Sequence, residues 1–107
     1  MRFGEILKLD AAGNWSTALK ATELSAWGIY ALALDSARGR LWLSSVAGAV
    51  SPPFQTADQG RSEVLCVELR NHVIERRYRL QDGQAHAFGD MALGEQGEIY
   101  VLSLIHI

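Results

Sequence analysis

A chain of 107 residues with 49% hydrophobic content can bury the core of a small domain, which excludes a disordered chain. Its net charge of −2, with both signs scattered and no basic stripe, gives nothing that would track a phosphate backbone, so nucleic acid is not an expected partner. No apolar run reaches the ~18 residues that span a bilayer, and Met1-Arg2-Phe3-Gly4 lacks the apolar stretch of a signal peptide.

In chain order, Glu5-Ile6-Leu7-Lys8-Leu9 reads as a short strand and Asp10-Ala11-Ala12-Gly13-Asn14 as a tight turn. There Asp can bond its own backbone and Gly can supply a positive φ. Residues 17–27 hold Ala18, Leu19, Lys20, Ala21 and Leu24, so a helix competes with a strand. Strands follow at 29–35 and 40–45, joined by the turn Asp35-Ser36-Ala37-Arg38-Gly39. Residues 46–60 form the longest non-repetitive stretch, and Pro52-Pro53 rules out an internal strand within it. A loop of that length serves as a flap or is an unstructured insertion. Two more strands read at 63–69 and 73–80, with His72 in the turn between them. Arg76 and Arg77 adjoin on the second, where charge would block further strand pairing. The single cysteine, Cys66, lies inside Val64-Leu65-Cys66-Val67 and reads as a buried structural thiol. The tail Leu102-Ser103-Leu104-Ile105-His106-Ile107 resembles the translated end of a sequencing-library adaptor, so residues 102–107 are expected to be non-native and His106 is no ligand candidate.

The sequence repeats. Gly4-Glu5-Ile6-Leu7-Lys8-Leu9-Asp10 returns 58 positions later as Ser62-Glu63-Val64-Leu65-Cys66-Val67-Glu68. Residues 29–34 and 39–43 return as 88–93 and 97–101, at offsets of 59 and then 58 after one deletion. Four strands per repeat, several apolar on both faces, suit sheets that are covered on both sides. The expected class is therefore all-β, a partial β-propeller holding about two four-stranded antiparallel blades of a six-bladed ring. Residues 1–28 are the outer strands of one blade, 29–80 a full blade with a 46–61 loop insertion, and 81–101 the inner strands of the next. The short turns then share one end of the sheets. The long connections, about 21–28, 46–61 and 81–87, share the other, where a binding surface is expected.

Leu32-Ala33-Leu34-Asp35-Ser36-Ala37-Arg38-Gly39-Arg40-Leu41-Trp42-Leu43 and Asp90-Met91-Ala92-Leu93-Gly94-Glu95-Gln96-Gly97-Glu98-Ile99-Tyr100-Val101 resemble the strand-turn-strand signature of the senescence-marker-protein/gluconolactonase family and its paraoxonase and NHL-repeat relatives. The resemblance covers roughly residues 4 to 101. It implies a calcium-dependent lactone or ester hydrolase or, alternatively, a non-catalytic NHL-like propeller that binds a small ligand or a protein partner. A periplasmic or secreted location goes with it, as do calcium or another divalent metal in a full-length parent and further blades to complete the ring. In the enzymatic branch a side-chain oxygen just before the innermost strand ligates the metal. Here Gly89-Asp90 stands at that place, with Asp90 matching the second position and Gly89 replacing the ligand; Tyr30-Ala31, one blade earlier, carries neither carboxylate nor amide. The metal ligands are thus unassigned.

The catalytic candidates are Asp90 and His86, the latter preceding an innermost strand where an imidazole could act as base or orient a ligand. The ligand-binding candidates are Trp27, Tyr30 and Phe54, aromatic residues on or next to the long-connection end. A small molecule or a peptide is the expected occupant. Trp42 and, in their plainer reading, Trp27 and Tyr30 serve core packing. Two blades bury one mutual interface, so the outer apolar faces are expected to meet water and to promote aggregation.

Overall fold

The computed structural model describes residues 4–24, 26, 28–46, 62–80 and 87–104. They form eight strands, β1 (Glu5–Leu9), β2 (Trp15–Lys20), β3 (Gly28–Asp35), β4 (Arg40–Val46), β5 (Ser62–Glu68), β6 (Ile74–Arg79), β7 (Ala87–Leu93) and β8 (Ile99–Leu104), with one 3-10 turn at Ser36–Arg38. All pairings are antiparallel: a β1-β2 hairpin, a four-stranded meander β3-β4-β5-β6, and a β7-β8 hairpin. Among the described residues the chain is all-β, and no sheet closes on itself.

The turns form by the expected chemistry. Asp10 Oδ1 accepts hydrogen bonds from the Ala12 and Asn14 amides, at 2.9 Å each, which holds the β1-β2 turn. Asp35 Oδ1 accepts from the Arg38 amide, and Gly39 closes the turn at φ 66, in the left-handed region that a Cβ disfavours. Between β7 and β8 the carboxylate comes from the far side, with Glu98 Oε1 accepting from the Gln96 amide. The helix that competed with a strand over 17–27 does not form among the described residues: Trp15–Lys20 is a strand, followed by a turn at 21–24. Helix propensity yields here to the ladder with β1 and to burial of Leu19.

Two clusters of apolar side chains flank the meander. On one face Leu41, Leu43, Leu65 and Val67 pack against Ile6 and Leu19 of the first hairpin and against Leu24 and Ala26 of the connection to β3. On the other, Ala33, Trp42, Val64 and Cys66 pack against Phe88 and Met91 of the second hairpin. Strand β4 alternates between them, Leu41 and Leu43 to the first cluster and Trp42 and Val46 to the second. The meander is thus the middle of three layers. Coverage is incomplete on β3, where Leu32 and Leu34 remain exposed although their sequence reads as buried on both faces.

The hairpins β3-β4 and β7-β8 share one register. Leu32↔Leu43, Ala33↔Trp42 and Leu34↔Leu41 correspond to Met91↔Val101, Ala92↔Tyr100 and Leu93↔Ile99 at the offsets read from sequence. Each hairpin also carries a bulge at the same place, between Ile29 and Ala31 in one and between Phe88 and Asp90 in the other. Residues 5–9 and 63–67 are both strands followed by an antiparallel partner, with Glu5↔Lys20 matching Glu63↔Arg79.

Candidate functional site

The start of β3, the end of β4, the start of β5 and the end of β6 meet at one end of the meander, since the pairs Gly28↔Val46, Val46↔Ser62 and Glu63↔Arg79 all lie there. This is the end from which the long connections leave. The bulge of β3, between Ile29 and Ala31, lies toward it. A bulge inserts an unpaired residue and re-aims its neighbours. In β3 that residue is Tyr30, which is 56% exposed. The Ser44 hydroxyl accepts a hydrogen bond from the Ala31 amide at 3.0 Å, which stabilises the irregular backbone there.

Asp90 stands one residue past the matching bulge in β7 and is exposed. Its Oδ1 accepts from the Met91 amide at 2.9 Å, a local contact that steadies the carboxylate. Of the other residues proposed from sequence, His86, Trp27 and Phe54 lie outside the described residues. Tyr30 on β3 and Asp90 on β7 are the candidates that lie within them. His72, on the short β5-β6 turn, is exposed with φ 60.

The least legible feature of this end is a buried carboxylate. Glu63 is 2% exposed, and its two oxygens accept from Arg77 Nη1 and Arg79 Nε, each at 2.7 Å. Arg77 Nη2 also donates to the Leu24 carbonyl, which fastens the connection between β2 and β3 to the outer strand of the meander. A buried carboxylate with two charge-assisted hydrogen bonds forms a stiff frame at this end of the meander. Arg77 is thus more than an edge charge. The available signal was the period-two pattern of β5, which places Glu63 on the same face as Leu65 and Val67, where a lone acid needs a partner.

The opposite end is held by short turns. There Arg38 Nη1 lies 3.3 Å from Oδ2 of buried Asp35, and Arg40 Nε lies 3.4 Å from Glu75 Oε2. The Asp10 carboxyl is held below the usual carboxylate range, chiefly by the Asn14 amide. Burial pushes the Cys66 thiol up to about 11, and its hydrogen bond to Glu75 adds to the effect. The thiol favours its protonated form, so folding stability is intact below its ordinary value near 9 and falls as pH rises from there to about 11. Two measurements check this: the urea midpoint should drop between pH 9 and 11 in the native chain and stay level in Cys66→Ala. Iodoacetamide should modify Cys66 far more slowly in the folded chain than in urea at the same pH.

No family model, no curated protein and no solved structure matches this chain. Among the described residues there is no group of three or more His, Cys, Asp or Glu placed to hold a metal ion, and no helix long and apolar enough to cross a membrane.

Proposed function

We propose that the chain contributes consecutive blades to a gluconolactonase-like β-propeller and that the end bearing the long connections is its small-molecule-binding surface. The observation that supports this most is the repeated register. The meander β3-β4-β5-β6 is a four-stranded antiparallel unit of the kind that makes a blade. One hairpin that flanks it repeats β3-β4 pair for pair, and the other follows the strand order of β5-β6. In this reading β3 and β7 are the inner strands that line the channel, with Tyr30 and Asp90, beside their bulges, at its mouth.

The proposed reaction is hydrolysis of a lactone or ester. In it Asp90 accepts a hydrogen bond from a substrate hydroxyl or from the attacking water, while Tyr30 supplies an aromatic wall. Calcium takes six to eight oxygens. The inner-strand mouths described here offer one carboxylate, part of whose acceptor capacity is used by Met91 N–H, and Gly89 and Ala31 bring no side-chain oxygen. These residues do not make a calcium site, and no step is assigned to a metal. The exposure of Tyr30 also favours a second reading, a non-catalytic NHL-like propeller that binds its ligand without turning it over.

Titrating the chain with a hydroxylated sugar lactone, followed by tryptophan fluorescence and by release of the hydroxy acid, tests both. Saturable binding is expected, weakened by Tyr30→Ala about tenfold, the equivalent of about 1.4 kcal/mol. Hydrolysis that is lost in Asp90→Asn while binding persists supports the hydrolase. Binding without hydrolysis leaves the NHL-like reading, and no saturable binding removes both.

A further inference from the structure

We infer that Ser44 is a positioning residue for the aromatic wall of the proposed site: its buried hydroxyl holds the Ala31 amide and thereby keeps Tyr30 as the residue that stands out of the ladder. What Tyr30 does there rests on the proposed function. The grip of Ser44 on the strand is independent of any ligand.

Between the pairs Ile29↔Ser45 and Leu32↔Leu43, two residues of β3, Tyr30 and Ala31, lie opposite the single Ser44. One of the two stays unpaired. In a regular strand residues two apart share a face, yet Ile29 packs against the first apolar cluster and Ala31 against the second. The extra residue between them switches the face. Ala31 is the one paired with Ser44, and Tyr30 is the one left over, 56% exposed. With Tyr30 opposite Ser44 instead, its ring would be drawn toward the second cluster and the small methyl of Ala31 would stand in its place.

A hydroxyl at position 44 is out of keeping with its surroundings. The same face of β4 carries Trp42 and Val46, and the residue opposite Ser44 on β5 is Val64, all members of the second apolar cluster. Ser44 itself has no exposed surface. Packing alone calls for an apolar side chain there, because a buried hydroxyl costs free energy unless it is bonded. The bond it makes is to the strand beside it: Ser44 Oγ accepts from the Ala31 amide at 3.0 Å, at the point where the bulge disrupts the ladder. A partly buried amide in such a place needs an acceptor. By supplying one to Ala31, the hydroxyl favours one of the two bulge positions over the other.

Ser44→Ala and Ser44→Thr separate the hydroxyl from the rest of the side chain, the first removing it and the second keeping it in a residue suited to strands. Without ligand, the Ala31 amide is expected to exchange with solvent about three- to tenfold faster in Ser44→Ala than in the native chain, the factor that one net hydrogen bond supplies. The Tyr30 ring resonances are expected to shift in Ser44→Ala and to stay near their native values in Ser44→Thr. Ser44→Ala needs no extra room, so its comparison with the native chain decides the matter even where the added methyl of Ser44→Thr does not fit. With a hydroxylated sugar lactone, Ser44→Ala is expected to bind about three- to tenfold more weakly on the native background and to add nothing on Tyr30→Ala, since its effect passes through the ring. A merely structural role would cost affinity equally on both backgrounds, and that result overturns the inference. Native exchange and native ring resonances in Ser44→Ala overturn it as well. A native chain that binds no lactone saturably removes the proposed function and the ligand role of Ser44 with it. That failure is told apart from one at the bulge, because exchange and ring resonances are read on the free chain.

Discussion

Leu65→Ala is expected to lower stability by about 2–5 kcal/mol, enough to abolish cooperative folding if the chain lies at the weak end of the usual 5–15 kcal/mol range. Leu65 has no exposed surface, lies opposite the equally buried Leu43 in the β4-β5 ladder, and belongs to the cluster that joins the first hairpin to the meander. Removing it opens a cavity between the first hairpin and the meander. Neither layer is free to collapse into the space, because each strand is held in register by its neighbours. Urea denaturation at fixed protein concentration should show a lower midpoint with an unchanged slope. Val73→Ala is the control, since Val73 is exposed beside the β5-β6 turn and should shift stability by no more than ~0.5 kcal/mol. Equal midpoints for the two variants would show that the first cluster does not hold the layers together.

The second large effect lies in the ion cluster. Arg77→Met leaves the buried Glu63 carboxylate to Arg79 and deprives the Leu24 carbonyl of the Arg77 donor. Stranding half of a fully buried pair costs about 3–5 kcal/mol. The Arg77 side chain is one-third exposed, so solvent screening reduces the expected cost to about 2–3 kcal/mol. Adding Glu63→Gln removes the stranded charge. The double variant should therefore be more stable than the sum of the single losses predicts, with a coupling of about 0.5–3 kcal/mol. A cycle that closes at zero would mean that the carboxylate is hydrated and that the frame at that end of the meander is not held by charge. Hydrogen exchange of the Leu24 and Ala26 amides gives a local readout, expected to accelerate in Arg77→Met before global unfolding.

These experiments bear on function through rigidity. The ligand mouth proposed above needs β3 and β7 held in place, and Tyr30 sits on a bulge whose backbone is stabilised by Ser44. The Glu63 cluster ties the preceding connection to the same end. Stability and binding should therefore fall together in Arg77→Met and separately in Tyr30→Ala, which changes an exposed side chain only.

Much of the fold was legible in the amino-acid order. The four strands of the meander were expected at 29–35, 40–45, 63–69 and 73–80 and occur at Gly28–Asp35, Arg40–Val46, Ser62–Glu68 and Ile74–Arg79. Asp10 and Asp35 were expected to cap their turns, Cys66 and Trp42 to be buried, and all four do so. The site was less legible. Asp90 and Tyr30 lie exposed on β7 and β3, but the burial of Glu63 was not read, because an acid in a strand usually faces water, and Arg77 was read together with Arg76 as an edge charge.

Turn chemistry and two-residue alternation act between close neighbours along the chain, so strands, turns and the repeat offset could be read without coordinates. Which faces are covered could not. Leu32 and Leu65 look alike as letters, and they differ because β1-β2 and the connection after it lie over β5 but leave β3 open. The Glu63 cluster likewise joins residues 24, 63, 77 and 79, which become neighbours only when the meander folds and the preceding connection docks against it. Burial and charge pairing are properties of packed layers, and no stretch of sequence carries them alone.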